Sequence, residues 1–347
     1  VTDTQTALPR ADIAASARTR RRWNPRSLLS KRESPVVLAL LLLVLFTYLA
    51  NPRFLAPQGL KDLMLNATIM MIMAAGQALI ISTRSVDLSV GSALGLTAFL
   101  TGTLFATYPS IPIIVVFLAG IAMGAGLGAI NGLLVTTARV PAMVITLGTL
   151  YVFRGVNSWW AGSTQYFAGD RPDAFGNLSV SLLVGIPIIT IIAIIVIAVV
   201  TLFQRYSRSG RDLYAIGSDP DAAIVYGIPV GRRVFTAFVT NGALVGLAGV
   251  LYASRFNSVG AVTGTGLELQ VVAAAVVGGV AIVGGVGTAA GAAIGALLLT
   301  TITGALTSVG VDKFWQQAVV GGLILASILI DRLATLRRAR NLRKATS

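Results

Sequence analysis

Residues 63–107 read LMLNATIMMIMAAGQALIISTRSVDLSVGSALGLTAFLTGTLFAT. Two apolar runs, 63–82 and 88–107, flank a short polar break that carries one arginine, Arg84, and one aspartate, Asp87. A helix needs about 20 apolar residues to cross the hydrocarbon core of a bilayer, and each run has that length. The fold class follows from this pattern and its recurrence: an all-α polytopic membrane protein. Further runs lie near 35–50, 111–137, 141–160, 180–203, 234–254, 268–283, 287–308 and 314–331, which predicts about ten transmembrane helices. The run at 268–283 is short and the run at 141–160 ends in polar residues. Both fit a broken or partly inserted helix.

Composition agrees. Hydrophobic residues make up 55% of the 347-residue chain and charged residues 12%, with mean hydropathy +0.82. A soluble domain carries about twice that share of charge. Cysteine and histidine are both absent. Their absence removes disulfides, thiol nucleophiles, imidazole bases and Cys/His metal sites. The net charge of +14 points to a cytoplasmic surface along a lipid bilayer and not to a nucleic acid, because Lys and Arg mark the cytoplasmic side of membrane proteins.

With ten spans and both termini cytoplasmic, 21 of the 27 Lys and Arg residues fall inside: eight in 1–34, Arg84, Arg139, five in 205–233 and six in 332–347. The expected organisation is a basic cytoplasmic tail at 1–34, a transmembrane domain at 35–331 and a second basic tail at 332–347. The first tail has no short apolar core followed by small residues, so it reads as a disordered tail and not as a cleaved signal. Trp159, Trp160, Tyr166 and Phe167 crowd the external end of the fifth run, where an aromatic belt belongs.

Gly120, Gly124, Gly128 and Gly132 form a stripe at four-residue spacing, and Gly287, Gly291 and Gly295 repeat it. Such stripes let helices approach closely. Packing inside the chain is the reading preferred here, with a dimer interface or a sliding seam as the alternative. GSALG (91–95) and GTAAG (287–291) form a faint internal echo, each opening an apolar run after a break.

Few polar side chains fall in or near the runs: Asn66, Gln77, Asn131, Asn157, Asn241, Gln270, Gln316, Gln317, Asp87 and Glu268. Neutral amides can exchange hydrogen bonds with a sugar, and they can equally tie helices together. Asp87 has two readings as well. It is a helix cap, alone or with Ser89, or it is a residue of the translocation pathway. Arg84, three residues away, could pair with it. Glu268 has the same two readings, at the start of the eighth run.

The segment 205–233 is the long polar stretch inside the membrane region. Its core, Asp221 to Tyr226, follows Asp219-Pro220 and precedes Gly227 and Pro229, a sound start and stop for a short helix. A short amphipathic helix of this kind suits contact with a motor subunit. None of the four lysines follows a glycine, so the chain has no Walker A lysine for ATP.

TRSVDLSVGS (83–92), GRDLYAIGSDPDAAIVYGIPV (210–230), FVTNGALVGLAGVLYASR (238–255) and TGTGLELQVVAAAVVGGVAIVGGVGT (263–288) resemble the ribose-type permeases of bacterial ABC importers. The wording is closest to the autoinducer-2 and rhamnose branches. The resemblance implies a bacterial plasma-membrane subunit that moves a monosaccharide or related polyol. It implies a second permease copy or a sister permease, and an extracellular or periplasmic binding protein. It also implies a cytoplasmic sugar-type ATPase with two nucleotide-binding modules, which would hold the ATP and Mg that this chain does not. The coupling role in such importers maps onto Gly217, Ala222, Ala223 and Gly227. The family's usual GGIDLSVG is here Arg84-Ser85-Val86-Asp87-Leu88-Ser89-Val90-Gly91, with arginine replacing the first glycine. Two other classes compete. An ion-coupled sugar transporter is disfavoured by the scarcity of buried acids and the lack of His. A membrane transferase would need an acidic pair such as Asp219 and Asp221, which a helix cap explains better.

Overall fold

A computed structural model describes residues 34–138 and 140–312, together with 315, 316, 318, 319, 321, 322 and 325. Both basic tails, Arg139 and most of the expected run at 314–331 lie outside the described residues. The chain is built from helices α1 (Ser34–Ala50), α2 (Pro57–Ile81), α3 (Val90–Thr107), α4 (Ile113–Thr137), α5 (Ala142–Ala161) and α6 (Asp173–Val180). These are followed by α7 (Ile188–Tyr206), α8 (Arg208–Ser218), α9 (Pro220–Val225), α10 (Val230–Arg255), α11 (Leu267–Val277) and α12 (Ala289–Ser308). Prolines set many of the starts. Pro57 and Pro220 open α2 and α9, and Pro112, Pro141, Pro172, Pro187 and Pro229 sit at the N-caps of α4, α5, α6, α7 and α10. A proline there costs no intrahelical hydrogen bond and pre-sets the backbone angle.

Each expected run up to 287–308 meets a helix, with three corrections. The run at 180–203 is not one span, because α6 ends at Val180 and a hairpin follows, pairing β2 (Leu182–Leu183) with β3 (Ile186–Pro187) ahead of α7. The run at 268–283 is helical only through Val277. The segment 205–233 holds two helices, α8 and α9, and not one short one. Among the described residues six helices (α2, α3, α4, α7, α10 and α12) are long and apolar enough to cross a membrane, whereas α1 and α11 are shorter. At its far end from α8 and α9, the bundle carries α6, the hairpin, and a two-strand pairing of β1 (Tyr166–Phe167) with β4 (Ser258–Val259).

The glycine stripe of α4 is used inside the chain. Its partner is α10, and the two backbones touch. A Cβ on Gly124 would lie 2.6 Å from the Cα of Gly246, and one on Gly128 would lie 3.0 Å from the Cα of Gly242. Further along, Gly120 faces Val250, and Gly132 faces Phe235 and Phe238. Dispersion is strongest when atoms meet at contact distance, so four glycines in register bring two long helices together. The dimer reading of this stripe is therefore corrected: all four of its glycines are covered by α10 of the same chain. Gly295 packs against Gly278 at the end of α11, and Gly278 in turn meets the backbone of Gly291. Gly287 lies outside α12, with φ 122° against Val280, so it belongs to a loop and not to a helix stripe.

Two substitutions on α4 separate packing from helix propensity. Gly124→Ala forces α4 from α10 and is expected to cost about 1–3 kcal/mol, lowering the melting temperature of the detergent-purified protein. Gly126→Ala meets nothing within 4 Å and is expected to be neutral or slightly stabilising. Equal melting temperatures for the two variants would refute the close crossing.

Candidate functional site

Helices α2 and α11 end alike. In α2 the N–H of Ser85 donates to Ile80 O (3.3 Å) and that of Arg84 to Ile81 O (3.0 Å). In α11 the N–H of Val280 donates to Ala275 O (3.0 Å) and that of Gly279 to Val276 O (2.9 Å). Both are Schellman ends, which place one residue in the left-handed region. That residue is Gly279 (φ 90°) in α11 and Arg84 (φ 63°) in α2. After each end comes a short non-helical stretch and then a new helix, α3 or α12. The sequence echo GSALG/GTAAG thus marks two copies of one motif: helix, left-handed end, break, helix.

Helix α8 sits over both breaks. The N–H of Gly285 in the second break donates to Ser82 O at the first (3.1 Å). Gly217 lies against both: a Cβ there would meet Ser82 O and Gly285 N, the latter at less than contact distance. Gly284 (φ 83°) lies against Arg84 and the Cα of Gly217. The Arg84 guanidinium donates from Nε to Gly217 O (2.6 Å) and from Nη2 to Ser218 O (2.6 Å). From α8, the Tyr214 hydroxyl donates to Gly287 O (2.7 Å). From α7, Gln204 Oε1 accepts from Ala289 N (2.7 Å) at the start of α12. The α8–α9 pair is itself braced. Ser207 Oγ caps α8, Asp219 Oδ1 accepts from Asp221 N and Ala222 N to start α9, and Arg233 pairs with Asp212 at 2.8 Å.

Within the first break, Asp87 is 2% exposed. Its Oδ1 accepts from Ser89 N (2.9 Å), Ser89 Oγ (2.7 Å) and Asn131 Nδ2 (3.4 Å), and its Oδ2 accepts from Asn241 Nδ2 (3.1 Å). Asn131 also donates to Ser89 Oγ (2.7 Å). The carboxylate therefore ties the break to α4 and α10, the same two helices that the glycines hold together. A burial this deep is tolerable for a charge only with such donors. The expected Arg84–Asp87 pair is not formed, since Arg84 points to α8. Nor does Asp87 cap α3: its backbone acceptor contact is the local turn to Ser89, whose own side chain makes no cap bond.

Glu268 opens α11 and accepts from Gly266 N through Oε1 (3.2 Å), and its Oε2 is buried close to Gly91. Around it stand Arg154, which sequence reading passed over, and Asn157, which it named. Arg154 of α5 donates to Thr263 O (2.7 Å), and Asn157 donates to Ala261 O (3.0 Å). Thr263 O also lies against Gly95. Non-helical backbone at 260–266 is thus lined by polar groups from α5, the arrangement in which irregular backbone is tolerated at membrane depth. Gln77 is fully buried, and neither of its side-chain polar atoms has a hydrogen-bond partner among the described residues. Asn66 is exposed on the outside of α2 and joins neither cluster.

Of the residues matched to a coupling role, Gly217 and Ala223 are buried in the chain, Ala222 is half-buried and Gly227 (φ 75°) is the left-handed end of α9. Two of them thus face inward, against the expectation of an external dock. The outward face at the end of α9 is Ile224, Val225 and Tyr226, which are 61%, 85% and 85% exposed.

Interrupted helices are where membrane carriers present backbone groups to a cargo. Two of them, pinned under one polar helical hairpin in an apolar bundle, define a membrane permease. The chain belongs to the family described as branched-chain amino acid transport system / permease component, which matches residues 59–328. It is a multi-pass cell-membrane protein, a permease subunit of an ABC importer. It is similar to the autoinducer 2 import system permease protein LsrC of Enterobacter sp. (strain 638), at 35% identity over 92% of each chain. The protein of that name from Klebsiella pneumoniae subsp. pneumoniae is 34% identical over 92% of each chain, and that from Escherichia coli (strain K12 / DH10B) is 34% identical over 91% of each. No solved structure matches the chain.

The Asp87 knot makes a graded prediction. Asp87→Ala strands the amide donor of Asn241 and the hydroxyl donor of Ser89, each at a cost of about 1–3 kcal/mol, while Asn131 keeps Ser89 Oγ, so the yield of monodisperse protein should fall sharply. Asp87→Asn should do better, because Asn241 can turn its partnerless Oδ1 toward the new amide. Size-exclusion profiles after a heat challenge rank the variants. Identical profiles for wild type and Asp87→Ala would show that the knot contributes nothing to folding.

Proposed function

We propose that this permease carries a monosaccharide or related polyol into the cell, received from an extracellular or periplasmic binding protein and moved by a cytoplasmic sugar-type ATPase. The relatives are named for autoinducer 2 import, which supports a small cargo of this class. In this reading ATP and Mg are bound by the ATPase, this chain catalyses no reaction, and a second permease, identical or sister, completes the pathway.

The observation that carries the coupling role is the α8–α9 hairpin. It touches both helix breaks on its inner side through Gly217, Arg84 and Tyr214. On its outer side it offers Ile224, Val225 and Tyr226 to solvent. Three adjacent large apolar side chains on a polar surface mark an interaction site. ATP binding can drive transport only by favouring one arrangement of the permease over another, and a hairpin in contact with partner and breaks alike links the two. Asn157, Glu268, Arg154 and the 260–266 backbone fit the cargo pathway, because they combine neutral amide, charge and carbonyl groups beside a helix interruption.

Val225→Asp together with Tyr226→Asp is expected to abolish recovery of the ATPase with the tagged permease, at least tenfold, while membrane insertion is unchanged. Undiminished co-purification would sink the docking role. Uptake that persists after ATP depletion with the ion gradients intact would replace the ABC reading by ion-coupled transport.

A further inference from the structure

Arg84 occupies a backbone position that the rest of the chain reserves for glycine. Three other described helices close on the same pair of hydrogen bonds, with Gly227, Gly279 and Gly310 in the left-handed place. Among the described residues only Arg84 and Val184 hold positive φ without being glycine. Val184 sits at the tip of an exposed hairpin, whereas the residues around Arg84 are buried. A side chain in this conformation is disfavoured, so something must hold it there. The guanidinium supplies the hold. Gly217 O and Ser218 O are the last carbonyls of α8 and have no intrahelical donors. A cation at a helix C-terminus also meets the negative end of its dipole. A planar fork serves two such carbonyls in one fixed geometry, whereas an ammonium has three donors but no preset plane.

The position of this fork matters more than its strength. Ser82, two residues before Arg84, accepts from Gly285 of the second break, and Gly284 packs on Arg84 itself. Movement of the end of α8 therefore reaches both interrupted helices through Arg84, beside the backbone packing of Gly217 and the Tyr214–Gly287 bond.

We propose that Arg84 is a positioning residue for transport: it locks the α8 end of the coupling hairpin to the two helix breaks, so that they move as a unit. This rests on the ABC-importer reading for its transport consequence, but not for its structural one.

Arg84→Gly is the natural probe, since glycine relieves the backbone and removes the fork together with the stem that packs on Gly284. In the purified permease, followed by hydrogen–deuterium exchange, it is expected to speed amide exchange at least tenfold in both 82–89 and 278–288, with the α4–α10 crossing unchanged. Arg84→Lys, which keeps the charge, should recover part of the protection. In proteoliposomes with its ATPase and binding protein, Arg84→Gly should move at least tenfold less solute per ATP hydrolysed, at a hydrolysis rate close to wild type. Exchange that changes at 82–89 alone, no recovery with lysine, or unchanged solute per ATP would each overturn the proposal. If wild-type uptake proves independent of ATP, the importer reading fails, and the exchange experiment still decides whether Arg84 locks the breaks.

Discussion

A helix interrupted among apolar neighbours exposes carbonyls and amides that water is not there to satisfy, and each one left unpaired costs several kcal/mol. Much of what surrounds the two breaks answers that cost. Ser82 O takes Gly285 N, Gly287 O takes the Tyr214 hydroxyl, and Ala289 N finds Gln204. The breaks satisfy one another and the hairpin above them. That mutual dependence is why α8 lies flat against the bundle and why Gly217 has no room for a side chain. A break that needed only to bend the chain could have been closed by its own turn.

The rest of the bundle is arranged to make such breaks bearable. Lipid supplies little drive for helices to associate, so contact must come from close packing and polar ties. The α4–α10 crossing uses both. Glycines bring the backbones into touch, and on the same two helices Asn131 and Asn241 reach to Asp87. The rigid crossing thus anchors the first break from one side while Arg84 anchors it from the other. A permease needs this division between a part that stays and a part that shifts.

Several elements were legible from residue order. The apolar runs located helices because the bilayer length sets a long, strong signal. Asp219-Pro220 and Gly227 bracketed α9 because caps and stops are local chemistry. The weak echo GSALG/GTAAG proved to mark a repeated motif, since a Schellman end and a following helix start are also local. The run at 180–203 misled because a β-turn among apolar residues changes periodicity without changing hydropathy. Arg84 carried a readable signal, an arginine in place of the glycine of a related motif. Its partner was unreadable, because Gly217 and Ser218 lie more than a hundred residues away and contribute only carbonyls.

Residue order by itself settled what depends on length, composition and neighbours: a helical membrane chain, its breaks, the capped helix α9 and its family. Tertiary structure decided which faces meet. It turned the glycine stripe of α4 inward to α10, set Gly217 and Ala223 inside and Ile224, Val225 and Tyr226 outside, and made Asp87 a tie between helices where a local cap was expected. The physical reason is that backbone carbonyls and glycine surfaces carry no side-chain label. Contacts built from them are fixed by the geometry of packing, and only the folded chain displays it.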